Sequence, residues 1–359
     1  MGDEYRKLAL RLDAIPNGFP ATESGVELDL LAKIFTPEEA EIASVMRLTP
    51  EAASEIAGRV NLVPDTVTSV LERMLQKGVI IGKKVDGTQT FGLQPFIVGI
   101  YEQQLGRIDE ELAQLFEQYY QETRGAGMIG VKPALHRVVP VNKAIPFEIE
   151  IFPYEEASRL IETAQSWGLR KCICRVQRQL IGKGCDYTVD NCIMFAPVEG
   201  AFDHAELTRA VSKDDALSAL READEAGLVH ATANYQGVHF YICNCCPCCC
   251  GVLRGLTEFG NPSSIARSSF QASVDCNACT GCGTCLERCH FGALSIPDET
   301  CVVDPDRCLG CGLCASACPE GALRLQRRPE HDQVTPPADH KTWLVERAQE
   351  RNIDLSDIL

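Results

Sequence analysis

Hydrophobic and polar positions along this 359-residue chain change period several times, and each change predicts an element. Between Asp65 and Lys77 the residues Val67, Val70, Leu71, Met74 and Leu75 recur at helical spacing up to Gly78, which predicts a helix. Thr36-Pro37-Glu38-Glu39 offers an N-cap, a proline at the first helical position and a capping-box glutamate; Thr49-Pro50-Glu51 reads the same way, so two helices precede it. VIIGKKV (Val79 to Val85) and TQTFGL (Thr88 to Leu93) flank Asp86-Gly87, the dipeptide of a two-residue hairpin turn. From about Ile97 to Thr123, Ile100, Leu105, Ile108, Leu112, Leu115 and Phe116 predict one long amphipathic helix, a connector that packs or dimerises. Gly125 to Pro153, rich in glycine, proline and valine, reads as loops and short strands at a domain border. Glu155 to Trp167 has helical spacing up to Gly168. Ser212, with Asp215 three residues on, caps a helix that runs to Ala226 and stops at Gly227. GLVHAT and VHFYIC (Gly227 to Thr232, Val238 to Cys243) read as paired strands. Past Leu325 comes a charged, proline-containing linker, then a tail helix over Lys341 to Asp354 with Trp343, Leu344 and Ala348 inward.

Three helices followed by a hairpin make residues 1–96 resemble a winged helix-turn-helix, whose usual function is DNA binding. Charge argues otherwise. Met1 to Ile100 holds 10 Lys and Arg against 14 Asp and Glu, and the third helix carries only Arg73 and Lys77 as cations. A helix that reads DNA needs positive charge and base-reading side chains at the groove. The whole chain has a formal charge of −16, so DNA is not expected as the main partner; the charge favours docking on a basic surface of a redox partner protein, with a generic soluble acidic protein as the alternative.

The chain contains 20 cysteines. Met1 to Leu10 is polar and charged, and no apolar run approaches the ~20 residues of a membrane span. A soluble cytoplasmic protein follows as the expectation, and there thiols stay reduced and are read as ligands before disulfides. Eight of them form an internal repeat. VDCNACTGCGTCLERCHFGAL (Val274 to Leu294) slides onto VDPDRCLGCGLCASACPEGAL (Val303 to Leu323), matching Asp275 with Asp304, Gly281 with Gly310, Gly283 with Gly312, and four cysteines with four. Each copy is spaced C-x2-C-x2-C-x3-C. Zinc ordinarily takes two C-x2-C pairs separated by a longer loop, so a doubled four-cysteine run favours iron–sulfur chemistry.

Over roughly fifty residues these runs resemble the bacterial two-cluster ferredoxins. The resemblance implies two [4Fe-4S] clusters with crossed ligation, because the fourth cysteine of each run ligates the other cluster. One cube then takes Cys279, Cys282, Cys285 and Cys318, and the other Cys308, Cys311, Cys314 and Cys289. The sequence departs at His290, which stands where Pro319 stands in the second copy; a small change in loop packing or potential is expected. Cys276 and Cys301 fall outside both runs and read as spectators.

Ten more cysteines, Cys172, Cys174, Cys185, Cys192, Cys243, Cys245, Cys246, Cys248, Cys249 and Cys250, lie in the middle of the chain. They exceed the four corners of one cube and form the candidate pool for at least one further iron–sulfur cluster; a zinc site or an apolar use of cysteine is the alternative. Adjacent residues such as Cys245 and Cys246 point apart in an extended backbone, so alternate pairs, Cys172 with Cys174 and Cys243 with Cys245, make better partners. Arg175, Arg178, Lys171 and Lys183 would offset the thiolate charge of a cluster, with solvated surface charges as the alternative.

The expected architecture is α+β and multidomain: a winged-helix-like domain (1–96), connector helix and loops (97–146), a cysteine-rich α+β domain (147–262), a two-cluster ferredoxin-like domain (263–326), and a linker with tail helix (327–359). This layout resembles a group of iron–sulfur proteins of anaerobes. The leading expectation for function is an electron-transfer protein passing single electrons through its clusters. An oxidoreductase or its subunit with chemistry at the Cys172 to Cys250 centre, and a redox-sensing transcription regulator, are the alternatives; whether the chain is an enzyme stays open, as does a homodimer. No G-x-G-x-x-G follows a strand, which argues against a simple nicotinamide or flavin enzyme.

Overall fold

A computed structural model describes residues 2–127, 129–145 and 152–359. The chain is a mixed α+β, multidomain protein divided into two units: Met1–Lys132 with Gln177–Lys183 and Leu344–Leu359, and Pro133–Val176 with Gly184–Trp343. The boundary expected near Phe147 lies outside the described residues.

In the first unit α1 (Asp3–Asp13), α2 (Val26–Ile34) and α3 (Pro37–Ala43) precede β1 (Glu51–Ala52), α4 (Ala53–Val60), α5 (Pro64–Gln76), β2 (Ile80–Val85) and β3 (Thr88–Leu93). The capping box of α3 forms as its sequence asks: Glu39 N donates to Thr36 Oγ1 at 3.3 Å and Thr36 N to Glu39 Oε2 at 2.9 Å. Asp86 and Gly87, at φ 49° and 80°, close the hairpin in the left-handed region that a tight two-residue turn requires. The helix expected to open at Thr49 begins instead at Ala53. Glu51 and Ala52 pair with Phe91 and Thr90 as an edge strand, giving the sheet order β1-β3-β2, so a long-range ladder overrides a local capping signal. Nor is 97–123 one helix. Ile97 and Val98 are extended (φ −130° and −80°, ψ 132° and 118°), a short 3-10 turn spans Glu102–Gly106, and α6 covers Glu110–Thr123. Asp109 caps α6 by accepting from Leu112 N at 2.9 Å, and Tyr101 stacks on Phe116 with ring centres 3.8 Å apart, so the apolar residues before Asp109 fold back on the helix rather than extend it.

The second unit is built on a seven-stranded sheet. Its strands are β4 (His136–Val138), β5 (Ser166–Lys171), β6 (Asp190–Ala196), β7 (Arg209–Val211), β8 (Val229–Ala233), β9 (Tyr241–Cys245) and β10 (Ile265–Ala266), in the order β10-β4-β8-β9-β6-β5-β7. β10 pairs with β4 in parallel and all other neighbours are antiparallel. β4 comes from the segment expected to be connector and β10 from beyond residue 262, so this sheet gathers strands from both sides of the expected domain. The helix expected over Glu155 to Trp167 is shorter, α7 (Ala157–Glu162), and Trp167 and Gly168 belong to β5. Trp167 and Leu169 pack on Ile193, Phe195 and Ile242 while Gly168 lies against Thr208, where an added Cβ would stand 2.4 Å from its methyl; the segment alternates as a strand does. α8 (Ile173–Leu180) follows β5, and α9 (Lys213–Ala226) starts at the Ser212–Asp215 capping box.

Beyond α10 (Gly251–Thr257) the repeat folds about two small antiparallel ladders, β11 (Phe270–Val274) with β14 (Leu323–Arg327) and β12 (Leu294–Ser295) with β13 (Val302–Val303), and two short helices, α11 (Thr284–Arg288) and α12 (Leu313–Ser316). α13 (His340–Glu350) ends the chain's regular structure, with Trp343, Leu344 and Ala348 buried. Among the described residues no helix is long and apolar enough to cross a membrane.

Candidate metal centres

The two cysteine runs of the repeat surround two cavities. One is lined by Cys279, Cys282, Cys285 and Cys318, with Cys301 beside them. The other is lined by Cys289, Cys308, Cys311 and Cys314. Each draws three thiols from one run and the fourth from the other. The loops come this close because of their glycines: at Gly281 (φ 66°) an added Cβ would lie 2.4 Å from Glu299 O, and at Gly310 (φ 68°) 2.0 Å from Phe270 O.

Backbone amides point at these sulfurs. Cys301 N donates to Cys279 Sγ at 3.4 Å, Ala293 N to Cys289 Sγ at 3.4 Å and Ala272 N to Cys308 Sγ at 3.5 Å. Ala272, Ala293 and Leu323 line the apolar core around them. Burial, with the neighbouring thiols adding to it, pushes the Cys311 thiol up to about 12 and raises Cys314 as well, so ionising these groups calls for a cation between them. Four convergent thiols with N–H groups aimed at sulfur suit a [4Fe-4S] cube. The two cavities differ in access: Cys282 is exposed, whereas Cys308 and Cys314 are buried.

Cys301 is no bystander. It is 3 % exposed, and its Sγ lies 3.7 Å from that of Cys285. Nothing in the spacing marks it, since it reaches the cavity by the β12–β13 turn rather than from a run. Cys276 is exposed and is not among the residues lining either cavity. His290 donates from Nε2 to the Gly227 carbonyl at 2.7 Å, and next to it Arg288 donates to the Asp224 and Glu225 carbonyls at 2.6 and 3.0 Å. Both satisfy the carboxyl end of α9, whose last carbonyls have no partner within the helix. The histidine therefore ties the repeat to the sheet domain, which a proline there would not do. His290→Pro is expected to lower the unfolding free energy by about 1 kcal/mol, the net worth of one hydrogen bond, with iron per chain unchanged. Loss of iron on purification would contradict that role.

The ten middle cysteines separate into two groups. Cys192, Cys243, Cys245, Cys250, Cys174 and Cys172 form a chain of thiols within hydrogen-bonding reach of one another, and Cys172 lies close enough to Cys245 to repel it. The pKa values of Cys172, Cys243 and Cys245 are raised first by a neighbouring thiol (Cys174, Cys192 and Cys243 in turn) and then by burial. Cys185, Cys246, Cys248 and Cys249 form the other group, in which every Sγ lies within 4.8 Å of every other. β9 explains the division. Cys243 and Cys245 point to one face of the strand; Asn244 points to the other, where it meets His230 Nδ1 at 2.7 Å; and Cys246, past the strand end, turns away from Cys245. Cys172 follows β5 and Cys174 opens α8; Cys192 arrives on β6, while Cys185 comes from the loop after α8. The two loop cysteines of the sequence thus go to different groups.

Of the four cations expected near the thiols, Arg175 is placed there. It is 1 % exposed and donates to Thr188 O at 3.1 Å, Asn191 Oδ1 at 2.6 Å and Asn244 O at 2.9 Å. Burial lowers its pKa, but Cys172, Cys246 and Cys245 outweigh that, so the guanidinium holds its charge beside both groups. Cys246 is brought down to about 4, through its hydrogen bond with Cys249 and then, against burial, the charge of Arg175. Arg178 is instead engaged with Glu117 at 2.8 Å.

Residues 278–322 match the family described as the 4Fe-4S dicluster domain. No curated protein and no solved structure shows a match to the chain. The C-terminal part of this protein is an iron–sulfur-binding domain, attached to a cysteine-rich region whose make-up fits an electron-transfer role.

Proposed function

We propose that the protein carries single electrons through two [4Fe-4S] clusters, held by Cys279, Cys282, Cys285 and Cys318 and by Cys308, Cys311, Cys314 and Cys289, and through a further iron–sulfur cluster at the group of Cys172, Cys174, Cys192, Cys243, Cys245 and Cys250. The observation that carries this reading is the pair of cavities, each with three thiols of one run and one of the other. When bound, each cluster supplies a one-electron couple. The chain's own residues set its level: Cys301, Ala293 and Ala272 donate N–H bonds to sulfur, and the exposed rim at Cys282 lets water stabilise added negative charge. For six crowded thiols, among them Cys172, Cys243 and Cys245 with pKa values raised by a neighbouring thiol and by burial, a multi-iron core offers the cationic charge they need.

The amino-terminal unit supports a docking role, with its three-stranded sheet and α3–α5 read as winged-helix-like. Arg73 of α5 and Lys77 at its C-cap are already engaged, with Glu38 at 2.9 Å and Glu39 at 2.6 Å, which leaves that helix without free charge for phosphates. Together with the charge of −16 this favours a partner protein with a basic surface over DNA. An EPR-monitored redox titration of the anaerobically purified chain tests the function. Two cubane signals with separate midpoints are expected, the less negative belonging to the cavity with exposed Cys282, because solvent favours the more highly charged reduced state. A chain that gives no paramagnetic species on reduction would overturn the reading.

A further inference from the structure

The four thiols of Cys185, Cys246, Cys248 and Cys249 differ in kind from every other cysteine group in the molecule. All six of their mutual Sγ distances fall within 4.8 Å, and two of them are 3.9 Å (Cys185 to Cys246) and 3.5 Å (Cys249 to Cys185). A disulfide needs about 2.05 Å, and all four are free thiols. Four sulfurs placed tetrahedrally about one ion at ~2.3 Å stand about 3.8 Å apart. Thiolates on a polynuclear core radiate outward from separate corners, so they stand farther apart than ligands that converge on a single ion. We infer that Cys185, Cys246, Cys248 and Cys249 form a closed tetrathiolate site for one metal ion of the zinc or iron class, distinct from every iron–sulfur cluster of the chain.

Its construction supports this on separate grounds. Cys246 and Cys249 are a C-x2-C pair in the turn that Pro247 opens after β9, and Cys250 N closes that turn on Cys246 O at 3.1 Å. Cys185 is delivered from a loop some sixty residues away in sequence, as the distant member of a tetrathiolate site commonly is. Ala223 and Leu228 form an apolar floor under Cys246 and Cys249, with Tyr187 at the side, and the exposed Cys248 marks the rim. Arg175 reaches Cys246 and offsets the net negative charge of four thiolates on a divalent ion. With four protein ligands there is no open coordination position, so the ion is structural or, as iron, a one-electron centre; it does not bind substrate. Leu228, in its floor, is bonded to Gly227, whose carbonyl receives His290, the neighbour of Cys289. One hydrogen bond thus separates the backbone beside this site from the backbone of a cavity cysteine.

The inference goes beyond the two-cubane reading and does not depend on it. Cys185→Ala and Cys248→Ala, each in the full chain purified anaerobically, are compared with the unsubstituted chain by metal analysis and acid-labile sulfide. Loss of about one metal ion per chain with sulfide unchanged is expected, and element analysis tells zinc from iron. A fall in sulfide alongside the metal, or no fall in metal in both variants, overturns the inference. Should the variants fail to fold, chelator treatment of the unsubstituted chain gives the same decision. Release of about one ion should make Cys185, Cys246, Cys248 and Cys249 alkylatable while cluster absorption persists; alkylation of these four before any metal leaves would overturn it. The cubane EPR signals, read on the same samples, report separately on the electron-transfer reading.

Discussion

Replacing Cys318 with alanine is expected to cost the cluster of Cys279, Cys282 and Cys285, not the one of its own run. Cys318 lines the first cavity although Cys308, Cys311 and Cys314 line the second. The expected loss is about four of the eight irons in the two cubes, together with the less negative EPR signal. Cys289→Ala should do the reverse and remove the more negative signal. Pairing of each loss with the run in which the cysteine lies would mean that the crossed arrangement does not hold the clusters. A variant in which the cube survives with three iron atoms and an altered signal would still place Cys318 at that corner.

Arg175→Met should be the most damaging single change in the sheet domain. The guanidinium is buried among Thr188 O, Asn191 Oδ1 and Asn244 O, and is the cation beside Cys172, Cys245 and Cys246. Methionine fills much of the volume but removes the donor to these three acceptors, of which Asn244 O keeps only the longer bond from Asn191 Nδ2 at 3.4 Å, and leaves the thiolate charge uncompensated, which typically costs about 3–5 kcal/mol for a buried charge partner removed alone. Loss of the metal of both middle thiol groups is expected, with the cubane signals of the repeat retained. Arg175→Lys keeps the charge without the planar fork and should fall between. Full metal content with an unchanged denaturation midpoint in Arg175→Met would contradict its role.

Where local chemistry decides the backbone, the sequence could be read directly. The Thr36–Glu39 and Ser212–Asp215 capping boxes, the Asp86-Gly87 turn and the pairing of GLVHAT with the strand that ends at Cys245 need only neighbours a few residues away. The division of Cys245 from Cys246 was legible too, because alternation along a strand is a local property. What stayed hidden depends on distant contacts. Glu51 joins an edge strand because Phe91 lies opposite, and Trp167 joins β5 because Phe195 of β6 lies opposite it. The run from Ile97 carries helical apolar spacing, yet Tyr101 finds Phe116 by folding back. Cys301 has no motif to announce it, and the sorting of Cys185 and Cys192 depends on where the loop after α8 and the strand β6 come to rest.

Iron, zinc and acid-labile sulfide counted on the anaerobically purified full chain, with free thiols titrated on the same sample, test most directly whether the middle of the chain holds a cluster beyond the two cubes. Roughly 12 iron atoms per chain are expected, against about 8 for two cubes alone, with sulfide in excess of the cubes' share and about four of the six thiols of Cys172, Cys174, Cys192, Cys243, Cys245 and Cys250 unreactive. About 8 iron and 8 sulfide, with those six thiols freely titratable or holding zinc alone, would contradict it.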